Sequence, residues 1–553
     1  MKSFEKEIRA YALKNALEFG KADAAKILPK LFQHGLKKEN IKDNIPEIKK
    51  IVDEINTLPI DEKKLLFANY EGVVKVHEEK ERALPDLPNI KKNKKVVLRT
   101  APFPSGALHL GNAKTFLLNS LYAEKYKGKL LLVMDDTIGS EKKQVNKESY
   151  KLIEDAFKWL GIKHQGKIIY KSDRLKTYYR YAEQLIKKDK AYVCYCSQKE
   201  LKKNREDGRE CGCRLLPVKI HLKRWKEMFK LIEGEATLRI KTDMMHPNPA
   251  FRDRVLFKIS DREHPRVGKK YKVWPTLEMS WAIDDHLLRI SHIIRGNDLM
   301  MESDMEKCIW DIFKWIHPEI IHTGLVQIEG TKISKSKAQE EVKSGKFMGW
   351  DDPRTWSIQS LARRGIKPEA VREFVKEIGL NKQDITVPIN NLYAINRKLI
   401  DSKAKRYSFV IDPIKLNIKN KPNWENVSIP IHPNNDEKRR VKLGDIFISG
   451  DDYKKFKGKE VRLLHLFNIV LNVKSKLSSI DIIDIPKLNW VSDYVLCRVL
   501  MLDGNWIKGI ADSGIENLGI GEVIQFERNF FCRFDSKIKL DEKDIFEFWF
   551  AHM

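Results

Sequence analysis

Two uninterrupted apolar runs, Val96–Leu98 and Leu130–Met134, are each followed by residues with helical spacing. A strand that is apolar at every position has no face to give to water, so it must be covered on both sides, as in a parallel sheet flanked by helices. Between the runs a helical pattern extends from about Gly111 to Tyr126, and after the second run Tyr150, Ile153, Phe157 and Leu160 fall on one helical face. An α/β domain with a parallel sheet is therefore expected here. The same runs are strand-sized, far below the ~18 apolar residues of a membrane span. The N-terminus, MKSFEKEIRAYALKN, is charged and helical in pattern, without the apolar core of a signal peptide. A cytoplasmic protein with no membrane partner is expected.

At 553 residues the chain predicts several domains, and a 42% hydrophobic content supplies cores and excludes wholesale disorder. Residues 1–92 read as a helical extension that runs into a Pro- and Lys-rich linker, LPDLPNIKKNKK, from Leu84 to Lys95. The α/β texture occupies residues 93–191. It breaks at 192–272 into mixed strands and loops with paired cysteines, and resumes over 273–350. Residues 351–404 are helical in pattern. Residues 405–553 alternate short apolar stretches with Gly, Asp, Asn and Pro, the pattern of an all-β region. Lys and Arg number 104 against 77 acidic residues, a formal charge of +27. Spread in short runs such as Lys202–Arg205 and Lys438–Arg440, that surplus favours a polyanionic partner, nucleic acid first; the alternative is a Lys-rich surface serving solubility.

The strongest local feature is RTAPFPSGALHLGN, Arg99 to Asn112, which leads from a strand into a helix. Gly106 and Gly111 let backbone pass close to a ligand, and a helix N-terminus offers unpaired N–H groups and a positive dipole end to phosphate. His109 and Asn112, three residues apart, can share one side of the first turn and donate to phosphoryl oxygens whose charge grows in the transition state. A Gly-containing strand–helix turn with a capping Asn is the plain structural alternative. In the second half of the chain, Gly330 opens the loop TKISKS, Thr331 to Ser336. Two ammonium groups, Lys332 and Lys335, around Ser334 suit clamping a triphosphate as pyrophosphate leaves. In so basic a chain, a solvated pair of lysines is the alternative.

Together, the order and context of the two motifs resemble the class I aminoacyl-tRNA synthetases. RTAPFPSGALHLGN is similar to that family's RFAPNPSGPLHLGH, and LLLVMDDT to its second-strand signature ending in (E/D)DT. WPTLEMSWAIDDHLLRISHIIRGNDL is similar to YPTY…DDHLLGVTHVLRGKDH. GWDDPRTWSIQSLARRGIKPEAVREF and NNLYAINRKLID resemble the archaeal-type glutamyl-tRNA synthetases, which share ancestry with the glutaminyl enzymes. The resemblance covers essentially the whole chain.

It implies a multidomain α/β protein. Residues 1–92 would be the N-terminal extension, 93–191 and 273–350 the two halves of a Rossmann-type catalytic domain, and 192–272 an insertion that binds the tRNA acceptor end. Residues 351–404 would contact the stem, and 405–553 would form β-barrels that bind the anticodon. The implied reaction is ATP-dependent formation of glutamyl-adenylate, with Mg²⁺, and transfer of glutamate to the 3′ end of tRNA(Glu), with a monomer favoured. Charging of tRNA(Gln), glutamine as substrate, and a non-catalytic tRNA-binding paralogue stay open; intact HLGN and KISKS motifs argue against the last.

In that scheme His109 and Asn112 stabilise the phosphoryl transition state and Gly111 makes room for adenine. Pro102, Ser105, Gly106 and Leu110 belong to the ATP-binding motif, and Lys332, Ser334 and Lys335 hold the β- and γ-phosphates with Mg²⁺. Arg99 and Arg295 match the arginines that receive the glutamate side chain, since a planar guanidinium suits a carboxylate bidentately. Asp135 matches the acidic residue for the α-amino group. For Arg295, a salt bridge to Asp284, Asp285 or Asp298 is the alternative. Phe103, Asn112, Val133, Leu277 and Trp281 depart from the family pattern, most of them around the amino-acid pocket, and leave its affinity open.

Cys194-x-Cys196 and Cys211-x-Cys213 place four thiolates that can close a tetrahedral Zn²⁺ site, as some members of the resembling family do in this insertion. Reduced, unliganded thiols or labile redox pairs are the alternatives. Cys308, Cys497 and Cys532 are isolated in apolar contexts and are expected in the core.

Overall fold

The computed structural model describes residues 4–74, 84–91, 94–138, 144–329 and 335–553. The chain divides into two compact units, Met1–Ala83 and Leu84–Met553. In the first, α1 (Glu5–Phe19), α2 (Ala24–Leu31), α3 (Ile41–Thr57) and α4 (Ile60–Ala68) enclose a core of their own that includes Ile8, Leu13, Ile27, Leu31, Ile51 and Ile55. Gly20, at φ +80°, ends α1, and Asp23 begins α2 by accepting from the Ala25 N–H at 2.9 Å.

In the second unit β1 (Val97–Thr100), β2 (Lys129–Met134) and β3 (Ile169–Tyr170) run parallel, with Val97 opposite Lys129 and Val133 opposite Ile169. The crossovers are α5 (Leu110–Lys125) and α6 (Lys147–Trp159). Asn146 caps α6 by accepting from the Glu148 N–H at 3.0 Å, and Tyr150, Ile153, Phe157 and Leu160 are buried against Leu98, Leu117, Leu130 and Leu132. This core explains why the two apolar runs have no polar alternation.

Next, α7 (Leu175–Lys187) leads to β4 (Ala191–Cys194), α8 (Gln198–Asp207), α9 (Val218–Met228), β5 (Thr237–Ile240), β6 (Val255–Ile259) and β7 (Val273–Pro275). These four strands form an antiparallel sheet in sequence order. The chain then returns through α10 (Leu277–Leu287), β8 (His292–Gly296), α11 (Met300–Phe313) and β9 (Glu319–Thr323), with β8 and β9 parallel. Ser291 docks β8 beside β1: the Val97 N–H donates to its Oγ at 2.8 Å, and its own N–H donates to the Val97 carbonyl at 2.9 Å. Beyond lie β10 (Val326–Ile328), α12 (Lys335–Lys343), α13 (Ile358–Arg363), α14 (Pro368–Ile378), β11 (Ile385–Val387), which pairs with β10, and α15 (Ile389–Ile400).

The segment from Leu84, expected as a linker, is instead packed. Leu84 and Leu87 are buried in the sheet core, the Leu87 N–H donates to Tyr126 Oη at 2.8 Å, and His292 Nε2 contacts the Pro88 carbonyl at 3.0 Å. Its leucines cover apolar surface that a free linker would leave wet.

After residue 405 the regular structure is almost entirely β. Arg406–Tyr407 and Phe409–Ile411, separated by Ser408 alone, are the two edges of one seven-stranded sheet. A sheet whose edges come from neighbouring residues has curled almost to closure, and Phe526, Phe530, Phe534, Phe548 and Phe550 fill it. A five-stranded sheet lies within residues 418–488, beside a second core that contains Ile446, Val461, Leu463, Ile469 and Trp490. The all-β reading missed the helix α16 (Gly450–Phe456), which Ser449 Oγ begins by accepting from the Asp452 N–H at 3.2 Å, and a 3-10 helix at Ser513–Asn517. Among the described residues no helix is long and apolar enough to cross a membrane.

Candidate active site

His109 is the N-cap of α5, and its Nδ1 accepts from the Asn112 N–H at 3.4 Å. With Nδ1 an acceptor, the neutral ring carries its proton on Nε2. The turn is clamped from the helical region that follows the KISKS loop: His109 bridges Ser357, and the Ile358 N–H donates to the Leu108 carbonyl at 2.8 Å. A Cβ on Gly111 would lie 3.1 Å from the Val326 carbonyl oxygen and 3.2 Å from the His109 ring, so β10 presses directly on this turn. Gly106 sits at φ +154°, and Pro102, Ser105 and Leu110 are buried beneath the turn. Lys114, one turn further along α5, is buried and donates to Thr323 Oγ1 and the Gly324 carbonyl, each at 2.8 Å; burial lowers its pKa to about 8. It thereby ties α5 to the end of β9, from which the chain continues through β10 towards the KISKS segment. Lys332 and Ser334 lie outside the described residues, and Lys335 is the first residue of α12.

Arg99, Asp135 and Arg295 stand at the carboxyl ends of β1, β2 and β8, the usual ligand side of an open parallel sheet. All three are buried. Arg99 donates bidentately to Asp285, Nε to Oδ1 at 2.5 Å and Nη2 to Oδ2 at 2.8 Å. Burial alone would lower the Arg99 pKa, but the facing Asp285, with Glu306 and Asp135, outweighs it and holds the guanidinium firmly charged. Arg295 donates to both oxygens of Glu306, at 2.8 and 3.0 Å, and to Ser303 Oγ at 3.1 Å, while Asp285 lies 4.0 Å away. Burial pushes the Glu306 carboxyl up, to about 7, against the pull of Arg295. Asp135 pairs at 2.9 Å with the fully buried Lys171, whose pKa burial lowers despite that partner. Asp284 pairs elsewhere, accepting from Arg174 and Tyr178.

Glu306, Ser303 and Lys171 escaped the sequence reading. A signal for Glu306 existed, since Ser303, Glu306 and Trp310 share the buried face of α11 and a carboxylate on such a face needs a partner. Lys171 had none. At the centre of the cluster is Trp281, itself buried, with Arg99 Cζ 4.8 Å, Lys171 Nζ 4.6 Å and Arg295 Cζ 4.5 Å from its ring centroid. Two other departures, Phe103 and Leu277, line a cavity of about 400 Å³ with Thr137, Arg205, Arg254 and Lys258. Val133 is a buried residue of β2.

The four paired cysteines converge, with all four Sγ atoms within 4.8 Å of one another and Cys194 and Cys211 3.7 Å apart. Tetrahedral zinc with Zn–S of about 2.3 Å places sulfurs about 3.8 Å apart, so the donor set fits that ion. Arg239 Nη1 approaches both Cys194 and Cys211 at 3.9 Å, a cation suited to thiolate charge. Cys497 and Cys532 are buried as expected, whereas Cys308 is only partly buried, on the rim of its core.

Two family descriptions match the chain: "tRNA synthetases class I (E and Q), catalytic domain" over residues 95–402, and the corresponding "anti-codon binding domain" over 404–484. A glutamate–tRNA ligase of Pyrococcus furiosus is 41% identical, over 97% of this chain and 98% of its own. The Archaeoglobus fulgidus ligase is 37% identical over 96% and 97%, and that of Methanocaldococcus jannaschii 36% identical over 99% and 100%. The catalytic match alone spans more than half of the residues. The chain therefore belongs to the class I tRNA synthetases of the E and Q group.

Proposed function

We propose that this protein is a cytoplasmic glutamate–tRNA ligase. It joins glutamate to ATP as glutamyl-adenylate and passes the glutamyl group to the 3′-terminal ribose of tRNA(Glu). One observation carries this reading in a chain with such relatives: Arg99, Asp135 and Arg295 converge at the carboxyl ends of three strands, near the helix start that bears His109 and Asn112. A glutamate carboxylate oxygen attacks the α-phosphorus of ATP, the bond to the β-phosphate bridging oxygen breaks, and pyrophosphate leaves. A ribose hydroxyl then attacks the acyl carbon, and AMP leaves.

Positioning and charge stabilisation suffice for such displacements. His109, through Nε2–H, and Asn112 donate to the α-phosphoryl oxygens, with Gly106 and Gly111 admitting the nucleotide between Pro102, Ser105 and Leu110. Lys332, Ser334 and Lys335 hold the leaving phosphates, whose charge Mg²⁺ also offsets when bound. Arg99 and Arg295 attract the side-chain carboxylate, and Asp135 the α-ammonium. Cys194, Cys196, Cys211 and Cys213 hold a structural Zn²⁺ that fixes the loop between β4 and the following helices. Residues 192–272 take the acceptor end, 351–404 the stem and 405–553 the anticodon of a tRNA bound by one monomer. A surplus of +27 suits that polyanion.

The test is aminoacylation with labelled glutamate and glutamine, each against transcripts of tRNA(Glu) and tRNA(Gln). Glutamate on tRNA(Glu) is expected. Glutamate on tRNA(Gln) as well would make the enzyme non-discriminating, and no charging of any pair with tRNA binding intact would refute the reading.

A further inference from the structure

We infer that Trp281 is the specificity-determining plug of the amino-acid pocket: its indole occupies the point where Arg99, Arg295 and Lys171 converge, and glutamate enters by displacing it. This rests on the proposed glutamate-activating function.

Three buried cations meet one ring here, with charged centres 4.5–4.8 Å from the centroid. Among the described residues no other ring faces three. Like charges converging in a dry interior need an anion or a π face between them. The guanidinium forks of Arg99 and Arg295 are already taken by Asp285 and Glu306, so an incoming carboxylate must take the remaining electrostatic position, the one the indole face now fills.

The closed arrangement also leaves polar groups unsatisfied. Trp281 Nε1 and Arg295 Nε are both buried without a hydrogen-bond partner, and an orphaned buried donor is costly. A carboxylate among the cations gives Arg295 Nε–H an acceptor, and the displaced indole can reach one of its own. The indole face and a side-chain carboxylate thus compete for one position, and the first is the weaker ligand. Because exchange requires loss of the cation–π contacts, Trp281 weakens glutamate binding and excludes side chains without the charge to compete.

Two measurements on the full-length chain test this. The first is the KM for glutamate in tRNA(Glu) charging by Trp281→Ala and Trp281→Phe. Trp281→Ala is expected to lower it on the order of tenfold, about 1.4 kcal/mol, whereas Trp281→Phe, which keeps a ring before the cations, stays within about threefold of the parent. An unchanged or raised KM in a Trp281→Ala protein that melts normally overturns the proposal, since Trp281 would then be neutral or would hold the substrate. The second needs no destabilising variant: ¹⁹F NMR of the parent containing 5-fluorotryptophan, with the Trp281 resonance assigned from Trp281→Phe. That resonance is expected to move towards its solvent-exposed position as glutamate saturates the protein. A stationary resonance in a protein that charges glutamate refutes the plug alone, whereas a parent that never charges glutamate refutes the function on which it rests.

Discussion

Removing the Glu306 carboxylate tests whether charge pairing holds the cluster beneath the site. Glu306 accepts both Nη groups of Arg295, at 2.8 and 3.0 Å, and the two side chains are 0% and 4% exposed. Glu306→Ala would leave the guanidinium buried, with Asp285 4.0 Å away and its Nε still without an acceptor. Breaking a buried pair by deleting one partner costs about 3–5 kcal/mol. If residues 84–553 melt as one unit, an unfolding entropy of about 2.1 cal/mol/K per residue makes each kcal/mol worth about 1 °C, so the Tm should fall by about 3–5 °C in scanning calorimetry. Glu306→Gln keeps the shape and one acceptor and should cost about half as much. Replacing both partners, Arg295→Met with Glu306→Leu, should recover most of the lost stability, because a buried pair exchanged for apolar side chains of similar volume is close to neutral, while charging is lost. A Tm for Glu306→Ala within about 1 °C of the parent, with the double replacement no better, would refute the reasoning.

For His109→Ala, a fall in kcat/KM of about 10²–10³-fold, 2.7–4 kcal/mol, is expected with tRNA affinity retained; activity within threefold would exclude the phosphoryl role. Gly111→Ala should lower charging at least tenfold by forcing the new methyl against the Val326 carbonyl and the His109 ring, and unchanged kinetics would mean that the turn can relax. Cys211→Ser should abolish a stoichiometry of about one zinc per chain in elemental analysis and lower the Tm; a parent that holds no zinc after expression in zinc-supplemented medium would assign the cluster to free thiols. His552 is fully buried, and desolvation lowers its pKa to about 4 from an unfolded value near 6.5. Its stabilising contribution is therefore complete above about pH 6.5 and is lost as pH falls towards 4, up to about 3 kcal/mol. His552→Phe should flatten the acid limb of the Tm–pH curve by that amount, and an identical limb would show that His552 takes up its proton equally in the folded and unfolded states.

The parallel sheet, its crossover helices and the HLGN turn were legible from residue order, because each depends on neighbours within a turn or two. Apolar runs announce burial on both faces and Gly111 announces a close approach, although the object approached, the Val326 carbonyl, does not appear in any local pattern. The arginines at positions 99 and 295 could be named from the motifs around them. Their partners could not. Arg99 meets Asp285 across 186 residues, Lys171 meets Ser280 across 109, and Arg295 prefers Glu306 to the nearer-looking Asp298 because α11 turns that carboxylate into the sheet. The Leu84–Lys95 segment has the composition of a linker, yet its leucines had apolar surface within reach that only the folded sheet supplies. The sequence alone therefore determined the family, the strand–helix order and the candidate phosphate-binding turn. Tertiary structure decided which buried charges neutralise one another and placed Trp281 among three cations, because Coulombic pairing in a dry interior depends on distances set by topology and carries no periodic trace along the chain.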